Sequence, residues 1–145
     1  MRMRKLPGLL AVAVLATDLS GCARPAQAAP DAYVAPAQVV DIPGSQARKV
    51  TLTALAVQRL DIRTTPVAGA GKLTAVPVPA LVYDPEGRGW VYTNPVYLTY
   101  LRVPVTVDHV AGDLAVLRSG PATGTPVVAV GAQELLGTEY GVGEE

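Results

Sequence analysis

Few side chains among these 145 residues could do chemistry, and each stands nearly alone. His109 is the single histidine, so any relay from a serine or cysteine through an imidazole to a carboxylate must run through it. Its neighbour Asp108 could complete a proton shuttle, but an ordinary exposed position at a strand end beside a turn is the simpler reading. Asp84 and Glu86 flank Pro85 and could offer oxygens to a hard cation. The same three residues also make a turn, and the turn is the preferred reading. A zinc site needs three or four converging ligands, which one histidine and one cysteine do not supply. Gly137, Gly141 and Gly143 lack the G-x-G-x-x-G order that cradles a phosphate. The inventory predicts a protein that is not an enzyme and takes neither cofactor nor metal.

The lone cysteine, Cys22, sits just past an apolar run. It cannot form an internal disulfide. Arg2, Arg4 and Lys5 make a basic start, and Leu6 to Thr17 is an apolar stretch of about a dozen residues, well short of the roughly 20 that span a bilayer. That is the pattern of a secretory signal peptide. Leu19-Ser20-Gly21-Cys22 then resembles the bacterial lipobox, in which the cysteine is lipidated and becomes the new N-terminus. Small side chains at Ser20 and Gly21 let a peptidase close on the backbone, and a thiol is readily alkylated. At about 0.8 kcal/mol per buried CH₂, two or more acyl chains hold a protein on a membrane almost permanently. The competing reading is cleavage after Ala26-Gln27-Ala28, which would release a soluble secreted protein without Cys22. That site lies some ten residues beyond the apolar run, far for such a cleavage. A lipoprotein on the extracytoplasmic face of the cell membrane is therefore the expectation, with soluble secretion as the alternative.

Removing residues 1–21 as a leader takes Arg2, Arg4, Lys5 and Asp18 from twelve basic and twelve acidic residues, leaving nine and eleven and a net charge of −2. Nucleic-acid binding wants a clustered basic face, and none is present. Residues 22–37 are rich in Ala, Pro and Gln, with Pro25, Pro30 and Pro36, and predict an extended tether. At about 3.1 Å per residue such a tether could hold a domain up to roughly 45 Å from a lipid surface. The remainder, residues 38–145, is enough for one domain.

That domain reads as short strands and turns. Strands are expected over Gln38 to Ile42, Lys49 to Leu52, Ile62 to Val67, Leu73 to Val82 and Gly89 to Thr93. Thr53 can cap a short helix running to Leu60, with Leu55 and Leu60 facing inward. Ala68 to Gly71 is expected as a flexible connector, and Pro77 and Pro79 place their strand at a sheet edge. Tyr83 to Gly87 is a Pro-Gly turn. Tyr100 to Val110 alternates strictly, which predicts a strand with Leu101, Val103, Val105 and Val107 inward and Arg102, Pro104, Thr106 and Asp108 wet. Ala111 to Asp113 turns the chain, Leu114 to Leu117 pairs back, Pro126 to Val130 adds a strand and Gly131 to Leu136 a helical turn. The fold class expected is mostly β, a small β-roll or barrel-like domain with one or two short helices.

Trp90, Tyr92, Tyr97 and Tyr100 lie close together, near Tyr83. They could dock a protein partner or stack on sugar; with no phenylalanine in the chain, they could equally be the core's large fillers, which is preferred.

VPVPALVYDPEGRGWVYT (Val76 to Thr93) followed by LRVPVTVDHVAGDLAVLRSGPATGTPVVAVGAQEL (Leu101 to Leu135) resembles the membrane-proximal part of periplasmic adaptor proteins, the membrane fusion proteins of efflux pumps or HlyD family. KVTLTALAVQRLDIRTTPV (Lys49 to Val67) resembles the strand–helix–strand that opens some heavy-metal-type adaptors. The resemblance implies a β-roll domain near a membrane that docks on a transporter. Full adaptors insert a lipoyl domain, a helical hairpin and a β-barrel where this chain has only Ala68 to Pro77, and no family catalytic residue exists to carry over. The expected function is thus a non-enzymatic, lipid-anchored accessory subunit of a membrane transporter, with the membrane and that transporter as partners. The alternative is a free-standing carbohydrate- or cell-wall-binding lipoprotein. Exposed rings would favour the alternative; buried rings would favour docking by a sheet edge.

Overall fold

The computed structural model of the protein describes residues 33–142. The leader and most of the tether, including Leu19, Ser20, Gly21 and Cys22, lie outside them. A compact unit begins at Val34. Eleven strands follow one another with two helices: β1 (Ala37–Asp41), β2 (Arg48–Leu52), α1 (Ala54–Arg59), β3 (Arg63–Pro66), β4 (Ala68–Ala70), β5 (Leu73–Pro77), a 3₁₀ turn (Val78–Ala80), β6 (Val82–Tyr83), β7 (Gly89–Val96), β8 (Thr99–Pro104), β9 (Thr106–Ala111), β10 (Leu114–Ser119), β11 (Pro126–Val130) and α2 (Ala132–Glu139). The domain is mostly β with two short helices, the class its patterning predicts.

The strands form two antiparallel sheets. The larger runs β1-β2-β8-β7-β11-β3 with β6 pairing on β7; the smaller runs β4-β5-β10-β9. Successive residues of a strand face opposite sides, so four consecutive buried residues in β7, Trp90 to Thr93, require cover on both faces. One face carries Trp90, Tyr92, Tyr100, Val50 and Val128 against Ala132 and Leu135 of α2. The other carries Val91 and Val127 against Val76, Ala115 and Leu117 of the small sheet. Helix, large sheet and small sheet thus stack as three layers over β7 and β11.

Several sequence expectations are corrected by this arrangement. Tyr100 to Val110 is two strands, because Pro104 cannot donate to the ladder and Val105, its N–H bonded to the Gly89 carbonyl at 3.0 Å, passes into the second core. The supposedly wet face of the first of them holds Arg102, which is only 4% exposed. Ala68–Ala70 is a strand, paired with Leu73 to Ala75 across the turn at Gly71. Its small residues give no side-chain signal, yet its backbone still joins the ladder. The strand carrying Pro77 ends there and lies inside the small sheet, not at its edge; Pro79 falls in the 3₁₀ turn. Thr53 does cap α1, accepting from the Ala56 N–H at 3.1 Å. Leu55, however, is 54% exposed, whereas Ala56 is buried and Leu60 packs on the core. Residues five apart sit well over 90° apart on a helix while residues four apart share a face, so Ala56 and Leu60 form the inward pair.

Gly131 joins β11 to α2 with φ of 84°, and a Cβ there would stand 2.3 Å from Ile62 Cδ1 and 3.2 Å from the Leu60 carbonyl. Gly131→Ala therefore combines a left-handed backbone with a steric overlap. It is expected to cost about 2–4 kcal/mol, read as a fall in the midpoint of urea denaturation at unchanged slope.

Candidate docking surface

The polar residues that could do chemistry are mostly engaged within the fold. Asp84 is buried and accepts four bonds: Oδ1 from the Glu86 and Arg88 N–H groups at 3.1 and 2.8 Å, Oδ2 from Arg88 Nε at 2.7 Å and Trp90 Nε1 at 2.9 Å. The two backbone bonds close the turn and the two side-chain bonds tie it to Arg88 and Trp90, so this carboxylate organises a turn and does not offer its oxygens to a metal ion. Burial alone would raise the Asp84 carboxyl, but the bonds from Arg88 and Trp90 hold it below its ordinary value. A carboxyl lowered on folding stabilises above its unfolded pKa, about 3.9, and that stabilisation is lost as pH falls through the lower folded value. The thermal midpoint is therefore expected to drop below about pH 4, and Asp84→Asn should flatten this part of the profile while lowering the midpoint at neutral pH.

His109 lies within β9, on the outer strand of the small sheet. Its Nδ1 meets Asp108 Oδ2 at 2.9 Å, and Arg118 bonds the other oxygen of the same carboxylate. The imidazole and then the guanidinium hold the Asp108 carboxyl below its ordinary value. This is an exposed charge cluster decorating an edge strand, a common device against unwanted strand pairing. Among the described residues, no group of three or more His, Cys, Asp and Glu converges as a metal site would.

Sequence reasoning missed the most connected polar group. Arg102 and Glu139 form an ion pair with side chains 2% exposed each and Nη2 to Oε1 at 2.9 Å. Arg102 also donates to the Gln46 carbonyl at 2.9 Å and lies over the Trp90 ring, 4.4 Å from its centroid. Glu139 Oε1 accepts the Arg48 N–H at 3.0 Å, and Oε2 accepts the Tyr92 hydroxyl. Burial, then the bond to Glu139, pushes the Tyr92 phenol above its ordinary value, so it remains a protonated donor. Among the described residues no buried side-chain polar atom lacks a partner. The network is closed, and it binds the C-terminal helix to the large sheet.

Of the four aromatic candidates, Trp90, Tyr92 and Tyr100 are buried, at 7%, 0% and 4% exposure. They are core residues, and the reading of these three as a partner-binding surface is corrected accordingly. Tyr97 alone among the four is exposed, at 79%. It occupies the two-residue turn between β7 and β8, where Val96 pairs with Thr99.

The surface offers two features in place of an active site. The first is the outer strand β1, which among the described residues pairs only with β2. It is uncharged until Asp41 and exposes Val40. The second is one end of the large sheet. There the Leu52 N–H bonds the Leu98 carbonyl and the Thr53 N–H bonds the Pro36 carbonyl, both at 2.9 Å. These bonds draw together the start of β1, the end of β2, the cap of α1 and the β7–β8 turn. Residues 34–40, 50–58 and 89–101 contain no Asp, Glu, Lys, Arg or His, so this end is uncharged. Val34, Leu55, Val96 and Tyr97 are each more than half exposed on it.

Comparisons with protein-family models, with curated proteins and with solved structures find no match for this chain.

Proposed function

We propose that the chain is a non-enzymatic cell-envelope lipoprotein, anchored through a lipid on Cys22, that acts as an adaptor-like accessory subunit on a membrane transporter. The observation that carries this reading is the contrast between an interior that satisfies its own polar groups and a surface that leaves sheet edges open. Strand β1 follows directly on the tether, has no strand partner on one side among the described residues, and lacks the prolines or central charges that usually protect an edge. Such an edge accepts a partner strand through main-chain hydrogen bonds. The resemblance of Val76 to Thr93 and Leu101 to Leu135 to adaptor membrane-proximal segments supplies the class of partner. Burial of Trp90, Tyr92 and Tyr100 removes the ring platform that sugar stacking would need.

A photo-crosslinking side chain at Val40, activated in intact membranes, tests the proposal. The expected product is a covalent adduct with a polytopic membrane transporter, reduced when Gln38→Lys places a charge on the same edge. Adducts only with cell-wall polymer, or the same adducts from a probe at Val110 on β9, would overturn it.

A further inference from the structure

We infer that the uncharged end of the large sheet seats in the lipid interface, with Tyr97 and Val96 of the β7–β8 turn as its leading contacts. This inference rests on the anchoring proposed above.

Three observations carry it. The first is where the chain enters. A compact unit begins at Val34, at the uncharged end, and the eleven residues from Ala23 to Tyr33 separate it from Cys22. Even fully extended at about 3.5 Å per residue they reach only roughly 40 Å. An anchor on Cys22 therefore keeps the domain beside the lipid at high effective concentration, with the chain entering at this end. The second is composition. Three separate stretches of sequence meet here without one charged residue. A protein–protein contact normally carries a polar, charged rim, whereas charge is costly on the acyl-chain side of a bilayer interface. Tyrosine, apolar along its ring and polar at its tip, is the residue that settles at headgroup depth. The third is the turn itself. Leu98 holds φ of 61° at the second turn position, where glycine or asparagine is the unstrained choice. A bulky residue there costs stability, and the turn spends it to present Val96, Tyr97 and Leu98 where Asn-Gly would fold more easily.

The test uses the membrane-extracted full chain, reconstituted in phosphatidylcholine–phosphatidylglycerol vesicles whose acyl chains are brominated near the headgroup. Trp90 is the only native tryptophan and is buried, so it serves as a low background. Tyr97→Trp adds an indole at the turn, and Val110→Trp adds one on the outer strand of the small sheet. The expected result is a blue shift and loss of emission for Tyr97→Trp, at the roughly 5–10 Å depth of interfacial contacts, with neither change for Val110→Trp. Unquenched emission from Tyr97→Trp in a chain that floats with the vesicles overturns this inference and leaves the anchor standing; so does equal quenching of both variants. If the extracted chain carries no acyl group, the anchoring proposal fails. This inference, which rests on the anchor, then falls with it.

Discussion

Arg102→Ala is expected to cost the domain about 3–5 kcal/mol, the range for stripping one partner from a buried ion pair. Small domains hold about 5–15 kcal/mol in total, so the loss takes a large share of that reserve. At roughly 4 °C per kcal/mol for a domain near this size, the thermal midpoint should fall by about 12–20 °C. The effect is large because Arg102 serves several groups at once. Glu139 loses its counter-charge, the Gln46 carbonyl loses its donor, and the Trp90 ring loses a cation over its face. The Tyr92 hydroxyl and the Arg48 N–H still point at the carboxylate, but two neutral donors do not replace a guanidinium. A shift of under about 1 kcal/mol, the size expected of an exposed pair, would mean that water reaches this site.

The same network distinguishes the value of a charge pair from the penalty of breaking one. Combining Arg102→Met, Glu139→Leu and Tyr92→Phe removes both charges and the phenol that bonds to Glu139. Apolar replacement of a whole buried pair is often neutral or stabilising, so the triple variant should recover most of what Arg102→Ala loses. If it melts as low as the single variant, the ion pair itself contributes net stability. If it melts high but loses a single sharp transition, the pair's role is to select one seating of α2 on the sheet. Leu135 and Ala132 supply the apolar part of that seating, and small apolar contacts alone are tolerant of register.

The reach of sequence patterning follows the same physics. Alternation, turn residues and the Thr53 cap are local, and they located most of the strands, the Tyr83–Gly87 turn and the start of α1. The period-two rule failed at Arg102 because it assigns a polar residue to water. Glu139, 37 positions away, and the Gln46 carbonyl, 56 away, make the inward orientation tolerable, and no local pattern signals partners so distant. The strand at Ala68–Ala70 was hidden for the opposite reason: its residues have almost no side chains to pattern, and its pairing is pure backbone. The aromatic cluster could be read either as core or as surface until β7 was seen to be covered on both faces, which settles Trp90 and Tyr92 as core. The uncharged end was legible in principle, as three charge-free stretches, but their meeting depends on the Leu52–Leu98 and Thr53–Pro36 bonds.

Cys22→Ala should have the largest effect on where the protein is found and none on its fold. Two acyl chains of about sixteen carbons, at about 0.8 kcal/mol per buried CH₂, hold a protein on a bilayer by well over 15 kcal/mol. The parent chain should therefore take up radiolabelled palmitate and stay with membranes through a salt wash, because the attachment is not electrostatic. The variant should take up no label and wash into the soluble fraction. The thermal midpoint of the unit that begins at Val34 should match the parent's, since Cys22 precedes it in the chain. The apolar turn at Tyr97 does not rescue it: even a single myristoyl chain gives only marginal, reversible binding, and a few exposed side chains bury less than that. The contact at Tyr97 can orient a domain that is already tethered but cannot retain a free one. Label on neither protein, with both in the medium, would instead point to cleavage after Ala26-Gln27-Ala28 and a secreted domain whose uncharged end must find another partner.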